Sequence, residues 1–167
     1  MKPLLLLPCL LLLAPGCAGY RVGSQLPRDI QTLFVHIPQN RTDEALLEND
    51  VANAFLAQIQ RDGSLRIVPE EQADAIAFIE ITGFRSEALA FNPANRSQAT
   101  EYRLFIDANI ILTRANGSIL VQTGTLSGRE IFTLTGDLTS SRRTAMRPAA
   151  DDLARRLVAA ITEAWVL

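Results

Sequence analysis

The side chains that could carry out chemistry in this chain are few, and their spacing does not group them. His36 is the only histidine and has no cysteine near it in the sequence, whereas a zinc site takes three or four such ligands. Glu70 and Glu71, and likewise Asp151 and Asp152, are adjacent, so their carboxylates point to different sides of a helix and do not form an acid and base couple. The chain also lacks GxSxG, Walker and HExxH motifs. We therefore predict that it is not an enzyme, that it binds no metal or cofactor, and that His36 is structural.

The thiols are confined to the start of the chain. Cys9 and Cys17 are the only cysteines, and both belong to a segment with one basic residue, Lys2, and an apolar run from Leu4 to Leu13 that Pro8 interrupts. The run is shorter than the ~20 residues that a helix needs to cross a hydrocarbon core of ~30 Å. A basic start, a short apolar stretch and a small-residue end are typical of a secretory signal peptide. We predict that the chain leaves the cytoplasm.

Cys17 ends this segment in a sequence, Ala14 to Cys17, that resembles the lipobox of bacterial lipoproteins. Ala14 replaces the usual leucine three places before the cysteine. An ordinary signal peptide with an incidental cysteine is the alternative. Removal of residues 1–16 would, however, leave Cys17 as the only thiol, without a partner for a disulfide. We therefore predict a lipoprotein signal peptide over residues 1–16 and lipidation of Cys17, whose acyl chains anchor the protein to a membrane.

The remaining residues, 17–167, have the length of a single domain. Lys2 is the only lysine, and the net formal charge is −2, which argues against nucleic-acid binding because that function needs a basic face. Basic residues that are all arginine are typical of a GC-rich genome, although arginine is also the better bidentate partner for phosphate. We find no low-complexity tract or internal repeat.

The first half of the domain predicts a βαβ unit followed by a central strand. Thr32 to Pro38 is rich in β-branched and aromatic residues, which favours a strand. A stripe of apolar residues at helical spacing then predicts a helix with Thr42 as its N-cap and Gly63 at its end. Residues 64–69 read as the second strand of a crossover, and Ala73 to Phe84 as a central strand. The apolar stripe consists of Leu47, Val51, Phe55 and Ile59.

The second half predicts a polar loop, a long hairpin and a final helix. Residues 85–101 are polar and carry Asn92-Pro93, which we interpret as a loop. Asn116-Gly117 suits a tight hairpin turn, so residues 102–114 and 118–133 should pair antiparallel. Apolar residues at helical spacing from Ala149 onwards predict a helix, which Pro148 would kink or start afresh. Alternate residues of the first hairpin strand should share a buried face: Tyr102, Leu104, Ile106, Ala108, Ile110 and Leu112.

These elements predict an α+β fold. Each helix has one apolar stripe, so both can pack on one face of a mixed four- to five-stranded sheet in a two-layer sandwich. The other sheet face would then carry arginines, Asp107 and Asn109. That face should be either solvated or covered by a partner.

Several segments together resemble the LptE family of lipopolysaccharide-assembly lipoproteins. They are Gly19-Tyr20 after the cysteine, LPRDIQTLFVHIPQNRT, RDGSLRIVPEEQADAIAFIEITGF, EYRLFIDANIILT and AADDLARRLVAAI. The resemblance implies an outer-membrane lipoprotein, lipid-anchored on the periplasmic side, that sits inside the LptD β-barrel, helps it to fold and binds lipopolysaccharide. Ala18, where lipoproteins retained in the inner membrane typically have aspartate, agrees with that localisation.

Lipopolysaccharide carries phosphates, for which arginine provides forked donors. We therefore take Arg103, Arg129 and Arg114, on the predicted hairpin, as candidate contacts for these phosphates. Ordinary surface arginines are the alternative. A different class also shares the pattern of strand, helix and second strand, namely periplasmic lipoproteins that activate peptidoglycan synthases or build curli-type secretion pores.

Overall fold

The computed structural model describes residues 26–27 and 29–163. The predictions for the signal peptide over residues 1–16 and for lipidation of Cys17 lie outside these residues. The described part contains two α-helices and one mixed sheet, which confirms the predicted α+β class.

The sheet has seven strands where the sequence predicted four or five. Two differences account for the higher number. The short strand β2, of two residues, was not predicted, and the last predicted strand is divided into β6 and β7. The strands are β1 (Thr32–Val35), β2 (Gln39–Asn40), β3 (Arg66–Ile67), β4 (Ala75–Asn92), β5 (Asn95–Arg114), β6 (Ile119–Gln122) and β7 (Leu126–Thr133), and the helices are α1 (Leu47–Asp62) and α2 (Leu138–Thr162).

The predicted βαβ crossover is confirmed, because β1 pairs in parallel with both β3 and β4. Asp74 fixes the junction between β1 and β4. Its carboxylate accepts hydrogen bonds from the Thr32 hydroxyl at 2.7 Å and from the Gln31 and Thr32 amides at 3.0 and 2.9 Å. The hydroxyl of Thr32 and the amide of Gln31 lower the pKa of Asp74, since they stabilise its charged form.

Helix α1 begins later than predicted, so Thr42 is not its N-cap. The residue before the helix is Leu46, which has a left-handed φ of 66° and makes no side-chain cap. The Thr42 hydroxyl instead accepts a hydrogen bond from the Glu44 amide and thereby stabilises a turn before the helix. Gly63 ends the helix at a φ of 74°, as predicted.

The polar segment that we interpreted as a loop is a β-hairpin arm, and that prediction is wrong. Strand β4 continues to Asn92 and β5 starts at Asn95, so the chain turns over only two residues. The side chain of Asn92 accepts a hydrogen bond from the Ala94 amide inside this turn. The arm consists of residues 85–102. Its side chains are mostly polar, but its backbone hydrogen bonds continue the ladder between β4 and β5.

The hairpin around Asn116-Gly117 is confirmed, since β6 and β7 both pair antiparallel with β5. Residues 123–125 separate β6 from β7. There the Thr123 hydroxyl accepts a hydrogen bond from the Ile110 amide at 3.0 Å and so replaces a backbone acceptor.

Helix α2 runs unbroken through Pro148, so no new helix starts there. Asp137 caps its first turn by accepting a hydrogen bond from the Ser140 amide. Pro148 is exposed, and water can therefore bond the carbonyl that the missing N–H leaves unpaired.

Both helices cover the same side of the sheet, which we call the covered face. The predicted stripe of β5 lies there, and its residues from Leu104 to Leu112 are fully buried. Gly128 of β7 lets α2 approach closely, because a Cβ atom at this position would lie 2.4 Å from the Ala149 carbonyl oxygen. The opposite side of the sheet, the open face, has no helix of the described residues packed on it. It carries the odd-numbered residues of β5.

Candidate functional site

The open face carries three arginines around one aromatic ring, and we call this group the arginine patch. Phe105 of β5 is paired with Arg85 of β4 on one side and with Arg129 of β7 on the other. Arg103 lies two residues before Phe105 on the same face of β5, and it is paired with Ile131. Arg103 and Arg129 are therefore diagonal neighbours on adjacent strands, at a separation of roughly 7–8 Å.

Within the patch, Arg85 is neutralised by carboxylates of the protein. Its guanidinium lies 4.2 Å from the centre of the Phe105 ring and forms ion pairs with Asp107 and, at 3.3 Å, with Glu87. Asp107 also accepts a hydrogen bond from Ser127. Gly83 leaves room for this arrangement, because a Cβ atom there would lie 2.9 Å from an Asp107 carboxylate oxygen.

Arg103 and Arg129 differ from Arg85, because neither forms an ion pair with another described residue. Glu87, which lies opposite Arg103 in the ladder, is held by Arg85 instead. Arg129 is exposed, and its backbone amide donates to Asp152 of α2 at 3.1 Å. The two predicted arginines are therefore diagonal neighbours on the open face, and neither has an ion-pair partner among the described residues.

The hydrogen bond from the Arg129 amide to the Asp152 carboxylate also satisfies a backbone donor at the edge of the sheet. Asp152 receives further hydrogen bonds from Arg155 at 2.9 Å and from Arg156 at 3.0 Å. Partial burial acts to raise the pKa of Asp152, but the hydrogen bonds from Arg156 and from the Arg129 amide outweigh it, so the pKa is lowered. An ionised Asp152 thus fixes the backbone of β7 at the position of Arg129.

The third candidate, Arg114, does not join this group. It ends β5, eleven residues beyond Arg103, and forms an ion pair with Asp29. At about 3.4 Å per residue, the two arginines are separated by roughly 37 Å. The hydrogen bond from Arg114 lowers the pKa of Asp29. The structure thus brings together Arg103 and Arg129 and leaves Arg114 at the other end of the sheet.

Two members of the patch were missed in the sequence. Arg85 lies in the segment interpreted as a loop, so its alignment with β5 could not be anticipated. Phe105 was part of the predicted hairpin strand, and its position between two apolar inward residues, Leu104 and Ile106, already placed it on the opposite face. An aromatic residue with arginines at neighbouring positions on the same face was the available signal.

The arrangement suits binding of an anion with several oxygens. Two guanidinium groups at this spacing can each donate paired hydrogen bonds to a phosphate. Among residues 26–27 and 29–163, no three His, Cys, Asp or Glu side chains are grouped as metal ligands. No helix in this part of the chain combines the length and apolarity needed to cross a membrane.

A family model described as "LptE: Lipopolysaccharide-assembly" matches residues 30–161. A comparison with curated proteins gives no match. The matched region includes both helices apart from the last residue of α2, and it includes the whole sheet.

Solved structures support the same fold. A minor lipoprotein from Acinetobacter baumannii is 12% identical, with a TM-score of 0.54 over 81% of this chain and 94% of that chain. The rare lipoprotein B from Shewanella oneidensis is 10% identical, with a TM-score of 0.52 over 80% of this chain and 96% of that one. A protein from Xanthomonas campestris is 13% identical, with a TM-score of 0.59 over 87% of this chain and 90% of that chain. At sequence identities this low, the similarity shows a shared fold only.

Proposed function

This chain belongs to the LptE lipopolysaccharide-assembly family, and we propose that it is an outer-membrane lipoprotein that partners and plugs an LptD-like β-barrel and binds lipopolysaccharide. In this proposal the protein is anchored by acyl chains on Cys17 and lies on the periplasmic side of the membrane. The family is one of non-enzymatic lipoproteins, and we propose that this member likewise acts by binding rather than by catalysis.

The observation that supports lipopolysaccharide binding most directly is the pair of uncompensated arginines on the open face. Arg103 and Arg129 have no carboxylate partner among the described residues, while the neighbouring Arg85 has two. A phosphate of lipopolysaccharide would supply the missing counter-charge. Guanidinium groups are weakly hydrated and planar, so they give up water for phosphate oxygens at lower cost than lysine ammonium groups do.

The fold also suits a position inside a barrel. The lumen of a large outer-membrane barrel is polar. The surfaces of α1 and α2 that face away from the sheet are mostly polar or charged, with Leu138 and Pro148 as exposed apolar exceptions. The ion pair between Arg142 of α2 and Glu44, at 3.1 Å, ties α2 to the turn that precedes α1. A small body with a closed core, and with helices that are mostly polar on their outer side, can enter such a lumen while its apolar interior stays covered.

Co-purification tests the proposed partner. The full-length protein, tagged at its C-terminus, is isolated from detergent-solubilised envelopes of its own host. We expect a large outer-membrane β-barrel protein at one-to-one stoichiometry, together with lipopolysaccharide. Recovery of a penicillin-binding protein without a barrel would contradict the proposal and favour a regulator of peptidoglycan synthesis.

Mass spectrometry of the mature N-terminus tests the anchor separately. We expect an acylated Cys17 as the first residue. A mature chain with an unmodified N-terminus elsewhere would exclude the lipid anchor. A Cys17→Ser variant should carry no acyl chain at this position, whereas a Cys9→Ser variant, altered only within the predicted signal peptide, should be acylated like the wild type.

A further inference from the structure

A concavity lies on the open face, at the end of the sheet away from the arm. Its volume is about 360 Å³, at the lower end of the ~300–1,000 Å³ that is usual for ligand sites. Its lining includes Phe78 of β4 and Ile111 of β5, which are paired in the ladder. Ile111 is six residues from Phe105, so this site is roughly 20 Å from the arginine patch. We call it the aromatic shelf.

The floor of the shelf is an aromatic ring held in a fixed orientation. Phe78 is 42% exposed, although the neighbouring residues of β4 on the covered face are buried. The His36 ring stacks on Phe78, with a centroid distance of 4.5 Å and an interplanar angle of 20°. The Phe34 ring in turn meets His36 edge-on at 5.0 Å. These contacts restrict rotation of Phe78 and keep part of its ring in contact with solvent.

The rim of the shelf is polar and carries little net charge. Glu80 accepts hydrogen bonds from Arg41 at 3.0 Å and from Asn109 at 3.4 Å. The bond from Arg41, and then that from Asn109, lower the pKa of Glu80. The carboxylate is therefore ionised, and Arg41 balances its charge. Gln39 and Gln122 line opposite sides of the cavity, and each amide can both donate and accept hydrogen bonds.

We propose that the aromatic shelf binds a pyranose ring of an uncharged saccharide. The C–H face of a sugar ring packs against an aromatic face, while its hydroxyl groups need donors and acceptors around the edge. The shelf has this combination in the exposed part of the Phe78 ring that His36 leaves uncovered, together with Ile111, and in the amides and the carboxylate at the rim. The neutral rim disfavours an anion, and the open, shallow shape gives an acyl chain too little enclosure.

Binding of a sugar ring by the shelf does not depend on the proposed function. Only the identification of lipopolysaccharide as the source of that sugar rests on it. Lipopolysaccharide and the glycan strands of peptidoglycan both contain glucosamine-type pyranose rings, and the shelf chemistry suits either one. The two sources therefore form separate arms of the test. One probe is the N-acetylated glucosamine disaccharide of lipid A, without long acyl chains or phosphates. The other is the disaccharide of N-acetylglucosamine and N-acetylmuramic acid with its carboxyl group amidated, so that both probes are uncharged.

The test is saturation-transfer NMR with the full-length protein in a detergent whose headgroup contains no sugar. We expect transfer to at least one probe, with the C–H protons of one ring face most strongly saturated. Phe78→Ala should weaken binding roughly fivefold, because it removes the stacking surface. The matched control is Ile119→Ala, since Ile119 is 60% exposed on the same sheet but does not line the shelf.

Transfer to neither probe would overturn the inference, and so would equal binding by the wild type and Phe78→Ala. Circular dichroism of Phe78→Ala verifies that the variant is folded. The β-barrel partner is assayed by co-purification in the same preparation. If the barrel is retained and neither sugar binds, the shelf is refuted and the proposed function stands. If the sugar binds and no barrel is recovered, the shelf stands and the proposed function fails.

Discussion

The two faces of the sheet differ most clearly along strand β5, where alternate residues of one strand meet opposite conditions. Leu104 and Ile106 on the covered face are fully buried. Arg103 and Phe105, their immediate neighbours, lie on the open face and retain solvent contact. Burial alone explains the residues of the first set. It does not explain why three arginines surround one aromatic ring. The open face therefore carries residues whose arrangement is better explained by ligand binding than by folding.

The largest expected effect comes from the covered face. Ile106→Ala should lower the free energy of unfolding by about 2–5 kcal/mol, because it leaves a cavity between the sheet and the helices. The comparison variant is Ile131→Ala, at a residue that is 50% exposed on the open face. Its effect should stay within about 0.5 kcal/mol. Urea denaturation monitored by circular dichroism measures both, and equal losses would contradict the difference between the faces.

A smaller loss is expected where α2 touches β7. Gly128→Ala places a Cβ atom 2.4 Å from the Ala149 carbonyl oxygen, so the helix must shift, at a cost of about 1–3 kcal/mol. Gly124→Ala is the matched control, because a Cβ atom there meets nothing within 4 Å. Denaturation midpoints of the two variants test this contact. A stable Gly128→Ala protein would show that the packing of α2 is looser than described.

The open face should respond in binding and not in stability. Replacing both Arg103 and Arg129 with Gln should weaken lipopolysaccharide binding roughly tenfold or more, since two charge-assisted contacts are lost. The free energy of unfolding should change by no more than about 0.5 kcal/mol. The control is Arg143→Gln on the exposed side of α2. If the double variant bound lipopolysaccharide with unchanged affinity, the two arginines would be ordinary surface residues without a role in binding.

The smallest effect concerns pH and the polar contact at the β1–β4 junction. The pKa of Asp74 in the folded protein lies below its usual value of 3.8. Its contribution to stability is therefore present above that value and is lost as the pH falls through the folded-state pKa. Asp74→Asn should remove this part of the acid dependence. Denaturation at several pH values would show parallel curves for the wild type and variant if Asp74 contributed nothing.

The sequence predicted the elements that periodic burial imposes. The stripe of α1, the end of that helix at Gly63 and the alternation along β5 follow from apolar spacing and from the special backbone freedom of glycine. The arm was missed because its side chains are mostly polar. Its regular feature is the backbone pairing of β4 with β5, which produces no hydrophobic periodicity in the sequence. Thr42 failed as an N-cap because the turn before α1 uses its hydroxyl.

The candidate site was predictable only in part. The positions of Arg103 and Arg129 on the hairpin followed from strand alternation, but their lack of counter-ions depends on Arg85, which reaches the patch only through the arm. The ion pair between Arg114 and Asp29 joins residues 85 positions apart. Spacing within one strand carries no information about such a contact.

Photo-crosslinking from the two sides of the molecule can show whether lipopolysaccharide binds at the open face. A photoreactive phenylalanine analogue replaces Ile131, beside Arg103 on the open face, or Arg143, on the exposed side of α2. We expect lipopolysaccharide adducts in intact cells from position 131 and few or none from position 143. Adducts from position 143 with none from position 131 would contradict the assignment of the open face as the binding surface.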